Sequence, residues 1–275
     1  MKTTTATIEN ELITMHVEGE TLFGKPEVLL HYDDDLTTKS NWHKEGFTVQ
    51  PFLSQLNYDT IKIGITNLIK TFVEQQLGKL LPSFTLEKYH TFCTDDETHL
   101  SVVKNFQQCL PIQNFPINFE LLDKRVSEIC GVNVTSNHPT QEASRKFCIR
   151  IVRPKRNTDN NPPHRDVWLN RLRNAVNIYL PLAGSNHQSS LPIIPGSHLW
   201  QESEIERTVT GATVNNVVFT VPCVVGSKYG LNMIRPQAQV NEIMVFSPYL
   251  IHGGGCNLNN DVTRVSIEIR FWRVP

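Results

Sequence analysis

The chain has 275 residues, of which 39% are hydrophobic and 19% charged, which favours a folded domain and excludes global disorder. Its formal net charge of −1 disfavours a nucleic-acid partner, because proteins that bind nucleic acids usually carry a clear basic excess. No apolar run approaches the roughly 18 residues that a membrane-spanning helix needs, and residues 1–11 lack the apolar core of a signal peptide. We therefore expect a cytoplasmic protein whose partner is neither a membrane nor a nucleic acid.

The first half of the chain predicts a polar start followed by helices. Residues 1–40 are mostly polar, and a short strand is expected at 48–52. Helices are predicted where apolar residues recur at helical spacing or where Pro and Gly mark the ends of a segment, namely at 58–77, 97–109 and 116–130. Gly78 and Gly131 are typical of helix ends.

The second half predicts a β fold. Short apolar runs that are separated by Pro, Gly, Asn and Ser indicate strands at 147–152, 175–182, 191–194, 217–225, 242–246 and 264–272. The predicted fold class is therefore mainly β with flanking α-helices, built as a jelly-roll. We expect a single domain over 1–275, in which 1–145 forms a helical buttress with an N-terminal extension and 146–275 forms the jelly-roll core.

The six cysteines lie at positions 93, 109, 130, 148, 223 and 256 and form no C-x-x-C pair. Their spacing fits neither a zinc site nor a disulfide framework. We expect six buried or half-buried thiols, as is usual in a reducing compartment.

A metal-ligand pattern follows the first of the C-terminal strands. In a strand, residues two apart point to the same side, so His164 and Asp166 are predicted to face one metal together, with His252 as a third ligand. Two imidazoles and one carboxylate leave coordination positions open, as a non-haem iron(II) oxygenase requires. The pair His31 and Asp33 has the same spacing, but no strand precedes it, so we interpret His31 as an ordinary surface residue.

A polar face is predicted on the last strand. Alternation places Arg264, Ser266, Glu268 and Arg270 on one side of that strand. An arginine offers a planar clamp for a carboxylate, and a serine adds a hydroxyl donor, so Arg264 and Ser266 suit the far end of a dicarboxylate. Taken alone, the same pattern also fits a solvated strand face.

Together these motifs resemble the phytanoyl-CoA dioxygenase (PhyH-like) family of Fe(II)/2-oxoglutarate oxygenases. The resemblance rests on 163–166, on the segment 190–198, on 250–253 and on Arg264-x-Ser266, and an opening segment at 42–47 extends it. It implies a double-stranded β-helix (cupin-like), with Fe(II) held by His164, Asp166 and His252. It further implies 2-oxoglutarate and O₂ as co-substrates, with Arg264 and Ser266 at the distal carboxylate and Tyr179 lining the pocket.

The resemblance also implies a reaction class. Related halogenases lack the carboxylate ligand that Asp166 supplies here, so hydroxylation is favoured, although desaturation, epimerisation and cyclisation use the same ligands. We expect a hydroxylase of a small polar metabolite, of the kind that tailors secondary metabolites such as toxins. Trp168, Arg171 and Arg173, just past the metal motif, are candidate substrate contacts, although solvated loop charges would look the same.

Three alternatives remain open at this stage. The substrate can instead be an acyl-CoA, although no motif dedicated to coenzyme A is visible, or it can be a peptide or protein. The chain can also be a cupin-like isomerase or binding protein that uses a metal without 2-oxoglutarate. The sequence does not fix the oligomeric state.

Overall fold

The computed structural model describes residues 1–31, 35–105, 110–111, 114–137 and 146–274. The α-helices are α1 (Gln55–Leu77), α2 (Tyr89–Phe92), α3 (Asp96–Val103) and α4 (Glu120–Cys130). The strands are β1 (Lys2–Ile8), β2 (Glu11–Glu18), β3 (Thr21–Phe23), β4 (Phe47–Pro51), β5 (Leu110–Pro111), β6 (Val134–Thr135), β7 (Lys146–Val152), β8 (Ala175–Ala183), β9 (Ile205–Thr208), β10 (Ala212–Val214), β11 (Val217–Phe219), β12 (Val224–Ser227), β13 (Asn232–Met233), β14 (Glu242–Phe246) and β15 (Arg264–Arg273). Among the described residues, no helix is long and apolar enough to cross a membrane.

The largest sheet has the strand order β4-β14-β8-β15-β7-β5, and β6 pairs with the end of β15. Its neighbouring strands are antiparallel, so alternate residues face opposite sides. On one side, apolar residues of β8 and β15, such as Ile178 and Ile267, join the main core with residues of α1, α3 and α4. The opposite side carries the polar residues Asn177, Tyr179 and Arg264.

A ladder of single β-bridges forms the layer opposite that polar side. His164 pairs with His252, His252 with Ile193, and Ile193 with Ile234. Between the ladder and the large sheet lies a small apolar cluster made of Tyr179, Leu191, Ile193, Met244, Phe246 and Leu250. The two layers thus enclose an interior, as in a jelly-roll, and the polar side of the large sheet faces into it.

Two smaller sheets complete the fold, with the orders β11-β10-β2-β1-β13 and β12-β9-β3. Their inward residues form a second hydrophobic core that also includes Ile194 and Ile251, which are adjacent in sequence to two residues of the ladder. The N-terminal hairpin of β1 and β2 therefore packs behind the ladder. The structure confirms the predicted class, which is mainly β with flanking helices.

Several predicted elements are confirmed closely. The helix predicted at 58–77 is α1, and it ends at Gly78, which has a left-handed conformation (φ 65°). The strands predicted at 147–152, 175–182, 242–246 and 264–272 correspond to β7, β8, β14 and β15. The helix predicted at 116–130 is α4, which starts later because the Asn118 side chain accepts a hydrogen bond from the Glu120 amide (2.9 Å) at its first turn. Of the predicted helix 97–109, α3 covers the first part, and residues 106–109 lie outside the described residues.

Other predictions are wrong, and proline explains two of them. The strand predicted at 191–194 is reduced to bridges at Ile193, because Pro192 and Pro195 lack the amide hydrogens that a ladder needs. The strand predicted at 217–225 is interrupted around Pro222 into β11 and β12.

The polar N-terminal segment forms three strands that the sequence reading missed. In β1 the buried residues alternate with exposed ones at Thr4, Ala6 and Ile8. This two-residue period was readable, but Thr4 is polar and Ala6 is small, so two of its three buried members concealed it.

The expectation of six thiols is wrong at Cys148, which is disulfide-bonded. Four other cysteines, Cys93, Cys130, Cys223 and Cys256, are free and buried, as expected. Cys109 lies outside the described residues.

Candidate metal centre

The two candidate histidine ligands are fixed to each other through their backbones. The amide of His164 donates to the carbonyl of His252 (2.9 Å), and the amide of His252 donates to the carbonyl of His164 (3.0 Å). This is a reciprocal bridge, whereas the sequence prediction relied on the alternation of a regular strand. It brings together two residues that lie far apart in the chain, and their ring centroids are 4.4 Å apart.

A hydrogen bond at Nδ1 orients each imidazole. His164 Nδ1 lies 2.7 Å from the Pro162 carbonyl, and His252 Nδ1 lies 2.9 Å from the Leu250 carbonyl. A carbonyl only accepts, so Nδ1 carries the proton in both rings and Nε2 keeps its lone pair. This arrangement is the usual outer support of a metal-binding histidine.

Asp166 begins a 3₁₀ turn (Asp166–Trp168) directly after the bridge. Its Oδ1 lies 3.4 Å from His164 Nε2 and 3.8 Å from His252 Nε2. Its Oδ2 accepts hydrogen bonds from Asn177 Nδ2 (3.0 Å) and from Nε and Nη2 of Arg270 (3.1 and 2.8 Å). One carboxylate oxygen is therefore held by the protein, and the other points toward the two imidazoles.

Within the part of the chain that the structure describes, His164, Asp166 and His252 are the one group of His, Cys, Asp or Glu residues suited to hold a metal ion. Their ligand atoms lie within 4.8 Å of one another, and all three residues are buried. Two imidazole nitrogens and a carboxylate oxygen form a donor set that suits iron(II), so these residues fit the metal that the sequence implied.

The protonation states of the group suit metal binding. Burial acts to raise the pKa of Asp166, but Arg270 and the two histidines outweigh it and hold this pKa well below its usual range. Burial, reinforced by His164, lowers the pKa of His252 to about 4. The carboxylate is therefore anionic and the His252 ring neutral at physiological pH, as ligands must be.

Two glycines allow the chain to turn directly after His252. Gly253 and Gly254 have φ values of 95° and 82°, which disfavour residues with side chains. A Cβ at Gly253 would also lie 2.8 Å from the Pro162 carbonyl oxygen, which accepts from His164. Glycine at this position therefore protects the orientation of a ligand.

Arg264 and Ser266 lie on the polar side of the large sheet, as predicted, and they face the interior rather than solvent. Arg264 is 4% exposed and Ser266 is fully buried. Arg264 Nε and Ser266 Oγ have no hydrogen-bond partner among the described residues. Unpartnered buried donors are costly, so this pair is suited to an anionic acceptor such as a carboxylate.

Tyr179 lies beside this pair. The guanidinium carbon of Arg264 is 5.9 Å from the centre of the Tyr179 ring, and the phenol oxygen is 2.9 Å from Ser185 Oγ. Tyr179 is 1% exposed and belongs to the interior cluster. It is therefore both a core residue and a neighbour of the predicted co-substrate clamp.

The three predicted substrate residues have different surroundings. Trp168 donates to Glu202 Oε2 (3.0 Å) and lies under the guanidinium of Arg207. Arg173 Nε is 3.4 Å from the Val167 carbonyl, and Arg171 is exposed. None of these contacts involves the metal group. His31 is exposed, as expected, and Asp33 lies outside the described residues.

The sequence reading assigned no role to Arg270 or Asn177, which hold Asp166. Both positions follow from alternation, because Arg270 is on the Arg264 side of β15 and Asn177 on the Tyr179 side of β8. What the sequence could not supply is the register that places these two residues opposite each other, next to Asp166.

Comparison with known proteins agrees with this geometry. The family model described as phytanoyl-CoA dioxygenase (PhyH) matches residues 86–266, which is more than half of the chain. The chain belongs to the PhyH family. It is therefore a 2-oxoglutarate-dependent oxygenase that uses iron(II), 2-oxoglutarate and O₂, and its family acts on small molecules.

The PhyH-family chain is also similar, at low identity, to several solved structures. AviO1 from Streptomyces viridochromogenes Tue57 is 16% identical, with 92% of this chain and 99% of that chain covered and a TM-score of 0.46. EvdMO1 is 18% identical, with 87% of this chain but only 50% of EvdMO1 covered and a TM-score of 0.46. EctD from S. alaskensis, solved with 2-oxoglutarate and 5-hydroxyectoine, is 12% identical, with 94% and 84% covered and a TM-score of 0.45. No curated protein sequence matches the chain.

Proposed function

We propose that this enzyme hydroxylates an unactivated C–H bond of a small polar metabolite, as a tailoring hydroxylase of secondary metabolism. The observation that carries the proposal is the carboxylate of Asp166, whose Oδ1 points toward the Nε2 atoms of His164 and His252. A carboxylate at this position fills the place that a halide needs in the related halogenases, so hydroxylation is favoured over halogenation.

In this proposal His164, Asp166 and His252 hold the iron. When bound there, iron and 2-oxoglutarate supply the activation of O₂ and the oxidation of the C–H bond. The protein's own residues supply position and charge: the two backbone carbonyls orient the imidazoles, and Arg270 and Asn177 orient the carboxylate.

Arg264 and Ser266 are proposed to bind the distal carboxylate of 2-oxoglutarate. The unpartnered Nε and Oγ atoms support this role, because a bound carboxylate would satisfy both. Tyr179 closes the pocket beside them. Trp168, Arg171 and Arg173 remain proposed substrate contacts, and residues 1–275 are proposed to form one domain.

The test is succinate formation by protein that has been loaded with iron without oxygen and then given 2-oxoglutarate and O₂. We expect slow, iron-dependent succinate release that Asp166→Ala abolishes, because this substitution removes one of three metal ligands. Asp59→Ala, which removes a partly exposed carboxylate of α1, is the matched control and should behave as wild type. If wild type and Asp166→Ala are equally inert and neither shows the absorption band of an Fe(II)–2-oxoglutarate complex, the site assignment is wrong.

Arg264 separates this reading from a cupin-like protein that needs no 2-oxoglutarate. Loss of a charged hydrogen-bonding partner typically costs about 1.5–3 kcal/mol, so Arg264→Ala should raise the KM for 2-oxoglutarate by about 10- to 100-fold. The same substitution should have little effect on the KM for a 2-oxo acid that lacks the distal carboxylate. Unaltered turnover of 2-oxoglutarate by Arg264→Ala would contradict the co-substrate assignment.

A further inference from the structure

A second ion pair lies on the interior side of the large sheet. Arg150 of β7 and Glu268 of β15 form a salt bridge in which Nε and Oε2 are 3.1 Å apart. Their neighbours on the two strands, Ile149 and Ile267, belong to the main core on the other side of the sheet. Alternation therefore places Arg150 and Glu268 on the same side as Ser266 and Arg270.

The other charged groups on this side already have a role in the proposed site. Arg270 is bound to Asp166, and Arg264 faces the place of the co-substrate carboxylate. Arg150 and Glu268 have neither task. Arg150 is the most exposed of these side chains at 40%, whereas Arg270 and Glu268 are exposed to a similar extent, 21% and 18%, and Asp166 is only 3% exposed. A dissolved small molecule can thus contact this pair, above all at Arg150.

On β15, Glu268 lies between Ser266 and Arg270 and on the same side of the strand as Arg270, which contacts Asp166. Burial acts to raise the pKa of Glu268, but Arg150, Arg270 and Arg264 outweigh it and hold this pKa below its ordinary value. The charge of Glu268 also acts on the ring of His252. The carboxylate is therefore ionised and lies between the co-substrate clamp and the arginine that holds Asp166.

We propose that Arg150 and Glu268 recognise a zwitterionic substrate, with Glu268 receiving its ammonium or guanidinium group and Arg150 its carboxylate. This inference rests on the proposed function and gives the polar metabolite a chemical class. Charge balance supports it: a molecule with both charges can replace the internal pair without leaving either partner uncompensated. A molecule with only one charge would leave one of the two partly buried residues unpaired.

A purely structural role explains the pair less well. Partly exposed ion pairs contribute little to stability, and Arg150 is the most exposed charged side chain in the ion pairs on this side of the sheet. A pair placed where it faces the metal centre, rather than the helices, is better suited to contact a ligand. The two explanations differ in what they predict for variants, because recognition is selective for charge and stability is not.

The experiment is calorimetric titration of the anaerobic Fe(II)–2-oxoglutarate-loaded protein with matched probes. The zwitterions are 4-aminobutyrate, 5-aminovalerate and 6-aminohexanoate, and each is compared with the n-alkyl acid and the n-alkyl amine of equal chain length. We expect at least one zwitterion to bind about tenfold or more tightly than both of its fragments. Glu268→Gln should weaken the zwitterion and the amine by about tenfold but not the acid, and Arg150→Gln should weaken the zwitterion and the acid but not the amine.

Glu128→Gln is the matched control, because Glu128 forms an ion pair with Arg125 on α4 (2.7 Å) away from this side of the sheet. It should leave every titration unchanged. The inference is overturned if no zwitterion binds better than its fragments, or if both site variants weaken all probes alike. The proposed function is tested separately, before any probe is added: if it is wrong, the protein shows no Fe(II)–2-oxoglutarate absorption band.

Discussion

The two oxygens of Asp166 have different partners, and this difference defines how the residue can act. Oδ2 accepts three hydrogen bonds from Asn177 and Arg270, whereas Oδ1 faces the Nε2 atoms of both histidines. A carboxylate whose second oxygen is already occupied is suited to give a metal one oxygen rather than two. Arg270 thereby helps to keep coordination positions free for a co-substrate and O₂.

Arg270→Gln should weaken metal binding, because it removes two charged hydrogen bonds and leaves the buried Asp166 less firmly placed. We expect the affinity for Fe(II), or for Co(II) as a stable substitute, to fall by about 10- to 100-fold, as is typical when an outer partner of a ligand is lost. Anaerobic calorimetry measures it. Arg270→Lys, which keeps the charge, should recover part of the loss, and Arg125→Gln on α4 should have no effect. Wild-type affinity in Arg270→Gln would show that Asn177 alone positions the carboxylate.

Among the helices, α1 is the one whose limits the sequence predicted best, and it contains one residue that helix propensity alone would misjudge. Gly64 is in the interior of this helix, where alanine normally stabilises by about 1 kcal/mol. A Cβ at Gly64 would overlap the ring of Pro116, which precedes α4 and cannot bend away as a flexible side chain can.

Gly64→Ala should therefore destabilise the protein despite the higher helix propensity of alanine. We expect a loss of about 1–3 kcal/mol in the free energy of unfolding, the usual cost of inserting a methyl group into a packed contact. Thr71→Ala, at an exposed position of the same helix, is the control and should change stability by less than about 0.5 kcal/mol. Chemical denaturation of wild type, Gly64→Ala and Thr71→Ala shows whether the contact with Pro116 or the helix propensity of alanine has the larger effect on stability. Stabilisation by Gly64→Ala would mean that Pro116 shifts at little cost.

The comparison of elements also shows where sequence reasoning fails. Regular periods with clear ends, as in α1 and in β14 and β15, were predicted to within a few residues. The segment around Ile193 was not, because its flanking prolines limit it to single bridges that still complete a layer. Spacing identified His164, Asp166 and His252, whereas Asn177 and Arg270 depend on a strand register that no local pattern encodes.

At the scale of the whole molecule, the described residues form two large hydrophobic cores rather than one. The first lies between the large sheet and the helices, and the second lies behind the ladder and includes residues of the N-terminal hairpin. Ile251 of the second core directly precedes His252. The hairpin therefore supports the layer that carries two metal ligands, although the sequence suggested only a polar extension.

Ile8→Ala should test this support. Ile8 is 2% exposed in the second core, so truncation should cost about 2–5 kcal/mol of unfolding free energy. Leu12→Ala on the same hairpin is the matched control, because Leu12 is 70% exposed, and its effect should stay below about 0.5 kcal/mol. Denaturant unfolding measures both. Equal, small effects would mean that the hairpin is not coupled to the rest of the fold.

The reciprocal bridge between His164 and His252 has a consequence for the life of the enzyme between turnovers. The backbone hydrogen bonds and the two ring-orienting carbonyls hold both imidazoles through groups that belong to the chain itself. We therefore expect that a chelator removes the metal while the surrounding chain keeps its arrangement, and that fresh iron enters without renewed folding. The metal content of a purified sample then depends on the last buffer used in purification and does not indicate whether the protein is correctly folded.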